Sequence, residues 1–325
     1  GLAGVSTAGL MPVVTGLAAD IAPKDRQAQW IGFVGAGASF GWIAGPVAGG
    51  LIYDRWGYNP AVAVSICLAV LALLTALLAI PNSHRPPVIS IALSKEQAVP
   101  SPQTNGILRN IRGSLPHSLP AFFILLCIFF AVLFAWSFIE PRFMFYAYND
   151  LGWSSSMLGL AMSTYGIAMM AGELGFGHLS DRVGRKPVIL LGLVFFSAQF
   201  IGLAFFNNYF LIAASFVCAG FGNALYDPAL NASILEISPA EHRSRILGIK
   251  SMVGSVGSIV GPALAALLNG SVDAHGIFLG AVAIVILSTL TGLAYPAISR
   301  HTAETLAPHA VATDHPANPM NATGI

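Results

Sequence analysis

The chain has 325 residues, 55% hydrophobic and only 9% charged, with mean hydropathy +0.74 and net charge +1. An ordinary soluble domain carries about 25% charged residues, so these few cannot coat a water-facing surface of this size. A near-neutral balance also excludes the basic field that nucleic acid requires.

Lipid is then the solvent, and in lipid each element must satisfy its own backbone polar groups. Nine apolar runs, each about long enough to cross a ~30 Å hydrocarbon core as a helix, fall at 1–19, 30–52, 61–80, 121–139, 156–176, 188–206, 209–230, 247–268 and 277–296. The fold class expected is an all-α polytopic membrane protein. The chain opens at Gly1 rather than Met, already inside an apolar run, and this reads as a truncated N-terminus. Residues 81–120 hold seven prolines and no long apolar run, which marks a linker between domains 1–80 and 121–299. Ile107, Leu108, Ile111 and Leu115 recur there at helical spacing beside Arg109 and Arg112, so a basic amphipathic helix and a plain linker turn stay equally open. The tail, 300–325, has the Ala, Pro, His and Thr content of a disordered segment. Cys67, Cys127 and Cys218 each lie inside an apolar run without metal-ligand spacing and read as packing residues, so no metal or cofactor is expected.

The loops fix an orientation. Of the 15 Lys and Arg residues, all but Arg55 and Arg142 fall on one side when the spans alternate, and that side holds the linker and the tail. By the positive-inside rule it is cytoplasmic.

An internal repeat follows the same division. Pro12, Ile21, Pro23, Gly32, Gly41, Ile43, Gly45, Pro46 and Leu51 recur 216 residues later as Pro228, Ile237, Pro239, Gly248, Gly257, Ile259, Gly261, Pro262 and Leu267. Two related halves about a central site are a common way to build a membrane carrier.

Between the fifth and sixth runs lies Gly177-His178-Leu179-Ser180-Asp181-Arg182-Val183-Gly184-Arg185-Lys186-Pro187. Gly184 suits a positive φ, Pro187 the first turn of a helix, Asp181 a helix N-terminus, and Arg185 a carboxylate partner. In the second run, Gly37, Gly41, Gly45 and Gly49 stand four apart, forming a smooth stripe on which another helix can seat, and Pro46 permits a bend.

The eleven-residue loop resembles the signature G-x-L-S-D-R-x-G-R-K-P of the major facilitator superfamily. Gly41, Gly45, Pro46, Gly49 and Gly50 resemble the helix-5 pattern G-x-x-x-G-P-x-x-G-G of its drug/proton antiporters. The resemblance implies that the nine runs are helices 4 to 12 of a twelve-helix fold: a remainder of the N-terminal bundle, then a six-helix C-terminal bundle. It implies a cytoplasmic gate of Gly177, Asp181, Arg182, Gly184, Arg185 and Glu173, with Arg185 paired to Glu236 and Asp181 facing the helix that starts near Trp30. The implied function is secondary active transport of a small solute by alternating access in the plasma membrane, driven by a proton gradient, with no enzymatic chemistry.

The ten-residue pattern places efflux ahead of an uptake symporter, and a non-transporting membrane sensor is the reading from another class. Asp227, charged inside a span, is open between proton coupling and a local ion pair near Pro228. Glu140-Pro141-Arg142 closes the fourth run with a helix-end ion pair as its simplest reading. Phe134, Trp136, Phe138, Tyr146 and Tyr226 are the expected cavity walls. The expected partners are the small-molecule substrate and the bilayer, around a monomer that binds no nucleic acid.

Overall fold

The computed structural model describes residues 27–79, 116, 118–176, 179–239, 243–268 and 270–295. The expected run at 1–19, the basic helix at 107–115 and the tail lie outside the described residues. Each of the other eight runs is a helix. In chain order they are α1 (Gln27–Trp56), α2 (Tyr58–Ala79), α3 (Leu119–Phe145), α4 (Ser155–Phe176), a short α5 (Leu179–Val183), α6 (Arg185–Phe205), α7 (Tyr209–Glu236), α8 (Arg243–Leu268) and α9 (Ala274–Leu293).

Local chemistry sets their ends. Gly57, at φ 82°, turns the chain from α1 into α2. Pro at the first turn opens α3. Asn208 caps α7 by accepting from the Phe210 N–H at 2.9 Å, and Asp273 caps α9 by accepting from the Gly276 N–H at 2.9 Å. One boundary differs from expectation. The fourth run does not end at Glu140-Pro141-Arg142. The helix passes through Pro141 to Phe145 and continues as a π-helical turn, Tyr146–Asp150, closed by Leu151 N–H donating to Tyr146 O at 3.0 Å. A proline costs one intrahelical bond but does not end a helix that neighbours hold in place.

Helices α3, α4, α6, α7, α8 and α9 close into one bundle. Within it α3 packs on α8 and α9, α6 on α7 and α9, and α7 on α4. Glycines set the closest approaches. Gly192 and Gly222 bring the α6 and α7 backbones together, and Gly257 and Gly261 let α8 press on the α3 backbone around Phe130 and Phe134.

The core holds fully buried Leu125, Ile128, Phe143, Phe200, Phe216 and Phe278, yet Phe123, Leu174, Phe210 and Leu267 on the outside are more than two-thirds exposed. A surface as apolar as its core belongs in lipid. Among the described residues six helices are long and apolar enough to cross a membrane; α1 and α4 are diluted by Gly and Ser and pack on one another. Helix α1 also carries α2.

Candidate functional site

Helices α1 and α4 run antiparallel and meet at backbone distance. A Cβ on Gly50 would lie 2.3 Å from Ser155 O, and one on Gly159 would lie 2.2 Å from Pro46 O. Ser163 Oγ donates to Ile43 O at 2.6 Å. The face of α1 that meets α4 therefore carries Ile43, Pro46, Gly50 and Asp54, spaced at i, i+3, i+7 and i+11.

Gly37, Gly41, Gly45 and Gly49 have no described atom within 4 Å of an added Cβ. At 100° per residue this stripe sits more than about 100° around the helix from the contact face. The smooth stripe and the seal against α4 are thus two different faces. Of the glycines of the ten-residue pattern only Gly50 meets α4, with Ile43 and Pro46 on the same face. The glycines that admit α1 on the other side, Gly159 and Gly166, were not singled out in the sequence.

Asp54 ends this contact face. Its Oδ1 accepts from the Ser155 N–H at 3.0 Å and its Oδ2 from the Ser156 N–H at 2.7 Å. These are the first two N–H groups of α4. The third, Met157 N–H, donates to Ser154 Oγ at 3.2 Å, and Leu158 N–H to Ser154 O at 3.1 Å. The three open donors of the first turn are thus satisfied, two of them by the other half of the molecule, and Leu158 makes the first intrahelical bond.

Asp54 lies beyond the apolar run 30–52. Hydrogen bonding from Ser156, its hydroxyl first and its N–H next, holds the Asp54 carboxyl down to about 2. A carboxyl lowered in this way contributes above its ordinary range and loses that contribution only as pH falls toward about 2. The bridge is expected to be unchanged from pH 8 to pH 5, as read by infrared bands of an isotope-edited Asp54 carboxylate.

Below this junction is a cavity of about 240 Å³ between α1, α3, α4, α6 and α7. Trp42, Trp136, Tyr165, Phe196, Phe216 and Tyr226 line it, with Met162 and Met169. Its polar rim is Asn223, whose Nδ2 donates to Tyr226 Oη at 3.1 Å. Trp136 stacks on Tyr165 with ring centres 6.5 Å apart.

Of the five aromatic residues expected in the wall, Trp136 and Tyr226 are there. Phe134 and Phe138 stack on each other at 5.8 Å and are buried where α8 presses on α3. They share one face of α3, and Trp136, two residues from each, points about 160° away. Tyr146 sits beyond the cavity, donating to Asn207 Oδ1 at 3.0 Å and packing edge-on against Phe278 and His275.

Asp227 is part of a polar cluster between α7, α8 and α3. Its Oδ1 lies 3.4 Å from Lys250 Nζ, and its Oδ2 accepts from Asn231 Nδ2 at 3.0 Å. Lys250 Nζ also donates to Asn231 Oδ1 and stands 3.9 Å over the Phe129 ring. The Lys250 side chain is 9% exposed and that of Asp227 is 37% exposed, so the pair is sheltered but open at the carboxylate.

At the opposite end of α4 from Asp54 lies the eleven-residue loop. Gly184 turns it at φ 104°. Arg185 donates from Nε and Nη2 to Glu236 Oε1 at 3.0 and 2.9 Å, and from Nη1 to Ser180 Oγ at 2.9 Å. Lys186 Nζ donates to Leu293 O at the end of α9. The turn thereby ties the ends of α6, α7 and α9 together. Arg182 is exposed, and Glu173 is exposed one turn before the loop. Gly177 and the side chain of Asp181 lie outside the described residues.

The Major Facilitator Superfamily profile matches residues 1–148 and again residues 125–319, so it covers both halves. The chain belongs to the Major Facilitator Superfamily. It is 24% identical, over 87% of its length, to a multidrug resistance efflux pump PmrA homolog of Lactococcus lactis, and 26% identical, again over 87%, to the multidrug resistance protein MdtG of Proteus mirabilis. It spans about two-thirds of the length of these relatives, 67% of each. Among solved structures, the crystal structure of a peptide transporter POT in complex with sulfate aligns with a TM-score of 0.49 at 19% identity, covering 61% of this chain and 46% of that one.

Proposed function

We propose that the protein exports flat, lipophilic aromatic solutes in exchange for protons, with the charged loop on the cytoplasmic side of the plasma membrane. The observation that carries this reading is the aromatic cavity at the seam of the two halves, open to both α1 and the C-terminal bundle. Two tryptophans and two tyrosines supply faces for offset stacking, and the methionines adapt to ligands of different outline. Asn223 and Tyr226 give one polar end.

The relatives named as multidrug efflux pumps support the same direction of flux. A carboxylate inside a span, open at one edge and paired to a sheltered cation, suits a coupling role, and Asp227 with Lys250 is such a group. The Arg185–Glu236 pair and Asp181 serve the cytoplasmic gate in this reading.

The test is fluorescence of ethidium, a planar aromatic cation, in proteoliposomes with an imposed pH gradient. Ethidium should move against the proton flux and stop when the gradient is collapsed. Trp136→Ala removes a stacking face worth about 1 kcal/mol and should raise the ethidium half-saturation roughly fivefold. Movement with the protons would mark an uptake symporter, and no movement would leave a non-transporting membrane protein.

A further inference from the structure

The two ends of α4 are held in different ways. At the loop end, Arg185 joins helices of one bundle. At the other end Asp54 reaches α4 from a helix 101 residues earlier in the chain, across the seam of the two halves. We propose that Asp54 is the outer latch of the transport cycle: its carboxylate closes the cavity on the side opposite the charged loop by capping α4, and it must release α4 for that side to open.

The capping arithmetic supports a latch rather than ordinary helix support. Helix α4 already has its own local cap, Ser154, serving Met157 and Leu158. Asp54 takes the two backbone donors that Ser154 leaves free, with the Ser156 and Ser154 hydroxyls adding to them. Those N–H groups carry the positive end of the α4 dipole, so a carboxylate gains more there than an amide or hydroxyl. The bond is also well placed to break. Asp54 is exposed, so when the halves part, water can take over both the carboxylate and the two N–H groups. The contact therefore biases a two-state element without locking it.

Packing along the seam fits this role. Gly50 and Gly159 bring the two backbones into direct contact and Gly166 receives the Ile43 side chain, so few side chains interlock and the halves can part and rejoin with little repacking. Tyr148 Oη donates to Ser155 Oγ at 3.1 Å, holding the first turn of α4 from within its own half while Asp54 comes and goes.

This inference rests on the transport reading, and the test separates the two. Spin labels at Tyr58→Cys and Asn149→Cys, both exposed at this end, report the distance across the seam in a background without native cysteines. Asp54→Ala should raise the ratio of open to closed distances roughly fivefold, the scale of a lost helix cap. Asp54→Asn keeps one acceptor and loses the charge and the second acceptor, and should give a smaller rise. Ser154→Ala removes the local cap and only the weakest of the hydrogen bonds to Asp54, and should lower thermal stability while changing that ratio less than Asp54→Ala does.

An unchanged ratio in folded Asp54→Asn and Asp54→Ala would overturn the latch, as would an equal rise from Ser154→Ala. If Asp54→Ala does not fold, Asp54→Asn decides alone. Ethidium flux is measured on the same samples. A rise in the open fraction without flux in the unmodified protein upholds the latch and removes the transport reading. Flux with an unmoved distance removes the latch alone.

Discussion

Asp227→Ala is expected to cost the protein about 2 kcal/mol, and Lys250→Met in the same chain to restore most of it. The reason is asymmetric burial. Lys250 is the sheltered member of the pair, and without the carboxylate its ammonium keeps, among the described residues, Asn231 Oδ1 and the Phe129 ring. Breaking a fully buried pair costs about 3–5 kcal/mol; the exposed edge of Asp227 lowers the figure here. Replacing both partners removes the stranded charge, and methionine fills the lysine stem. Thermal unfolding in detergent should show a fall of about 5 °C for the single variant and a return to within about 2 °C for the double.

A second double variant, with asparagine in place of alanine, decides the coupling role. If Asp227 carries the transported proton, Asp227→Asn with Lys250→Met should still exchange ethidium down its own gradient but no longer accumulate it against one. Accumulation by a folded double variant would leave the pair a structural one.

Much of the helical frame was readable because lipid imposes a length. Runs of about 20 apolar residues have few alternatives to a spanning helix, and the eight described runs are all helices. Their ends were less readable. Pro141 looks like a stop, yet α3 continues through it because its neighbours hold the turn on both sides. The Arg185–Glu236 pair joins residues 51 positions apart and was foreseen only through family resemblance, since no local pattern links a loop to a distant helix end.

Which face of each helix turns inward was the least readable property. In water, amphipathic spacing marks the inner face; here the outer face is equally apolar and the mark is missing. Hence Phe134 and Phe138 looked as suited to the cavity as Trp136, although a half-turn separates them. The same cause hid Asp54. The serines at 154–156 signal a helix start, and an acid at the end of an apolar run is conspicuous, but only the tertiary fold brings the two together.

The glycines of the seam give the second large effect. Gly159→Ala should force the outer junction apart, while Gly45→Ala, one residue from the contact face in sequence, should leave it closed. At Gly159 the new methyl would meet Pro46 O at 2.2 Å and Pro46 C at 2.7 Å. Both are backbone atoms of a helix, so no side chain can swing aside and α1 itself must move. At Gly45 the same methyl meets no described atom within 4 Å. Overpacking of this kind costs about 2 kcal/mol, roughly thirtyfold in the ratio of closed to open forms. The spin-label pair at positions 58 and 149 reads that ratio directly, and ethidium flux should fall with it because a cycle that cannot close its outer side cannot carry solute in one direction. Equal opening by Gly45→Ala would mean that the seal runs along the four-residue glycine stripe after all, and that the α1–α4 contact through Gly50 and Gly159 is incidental to closure.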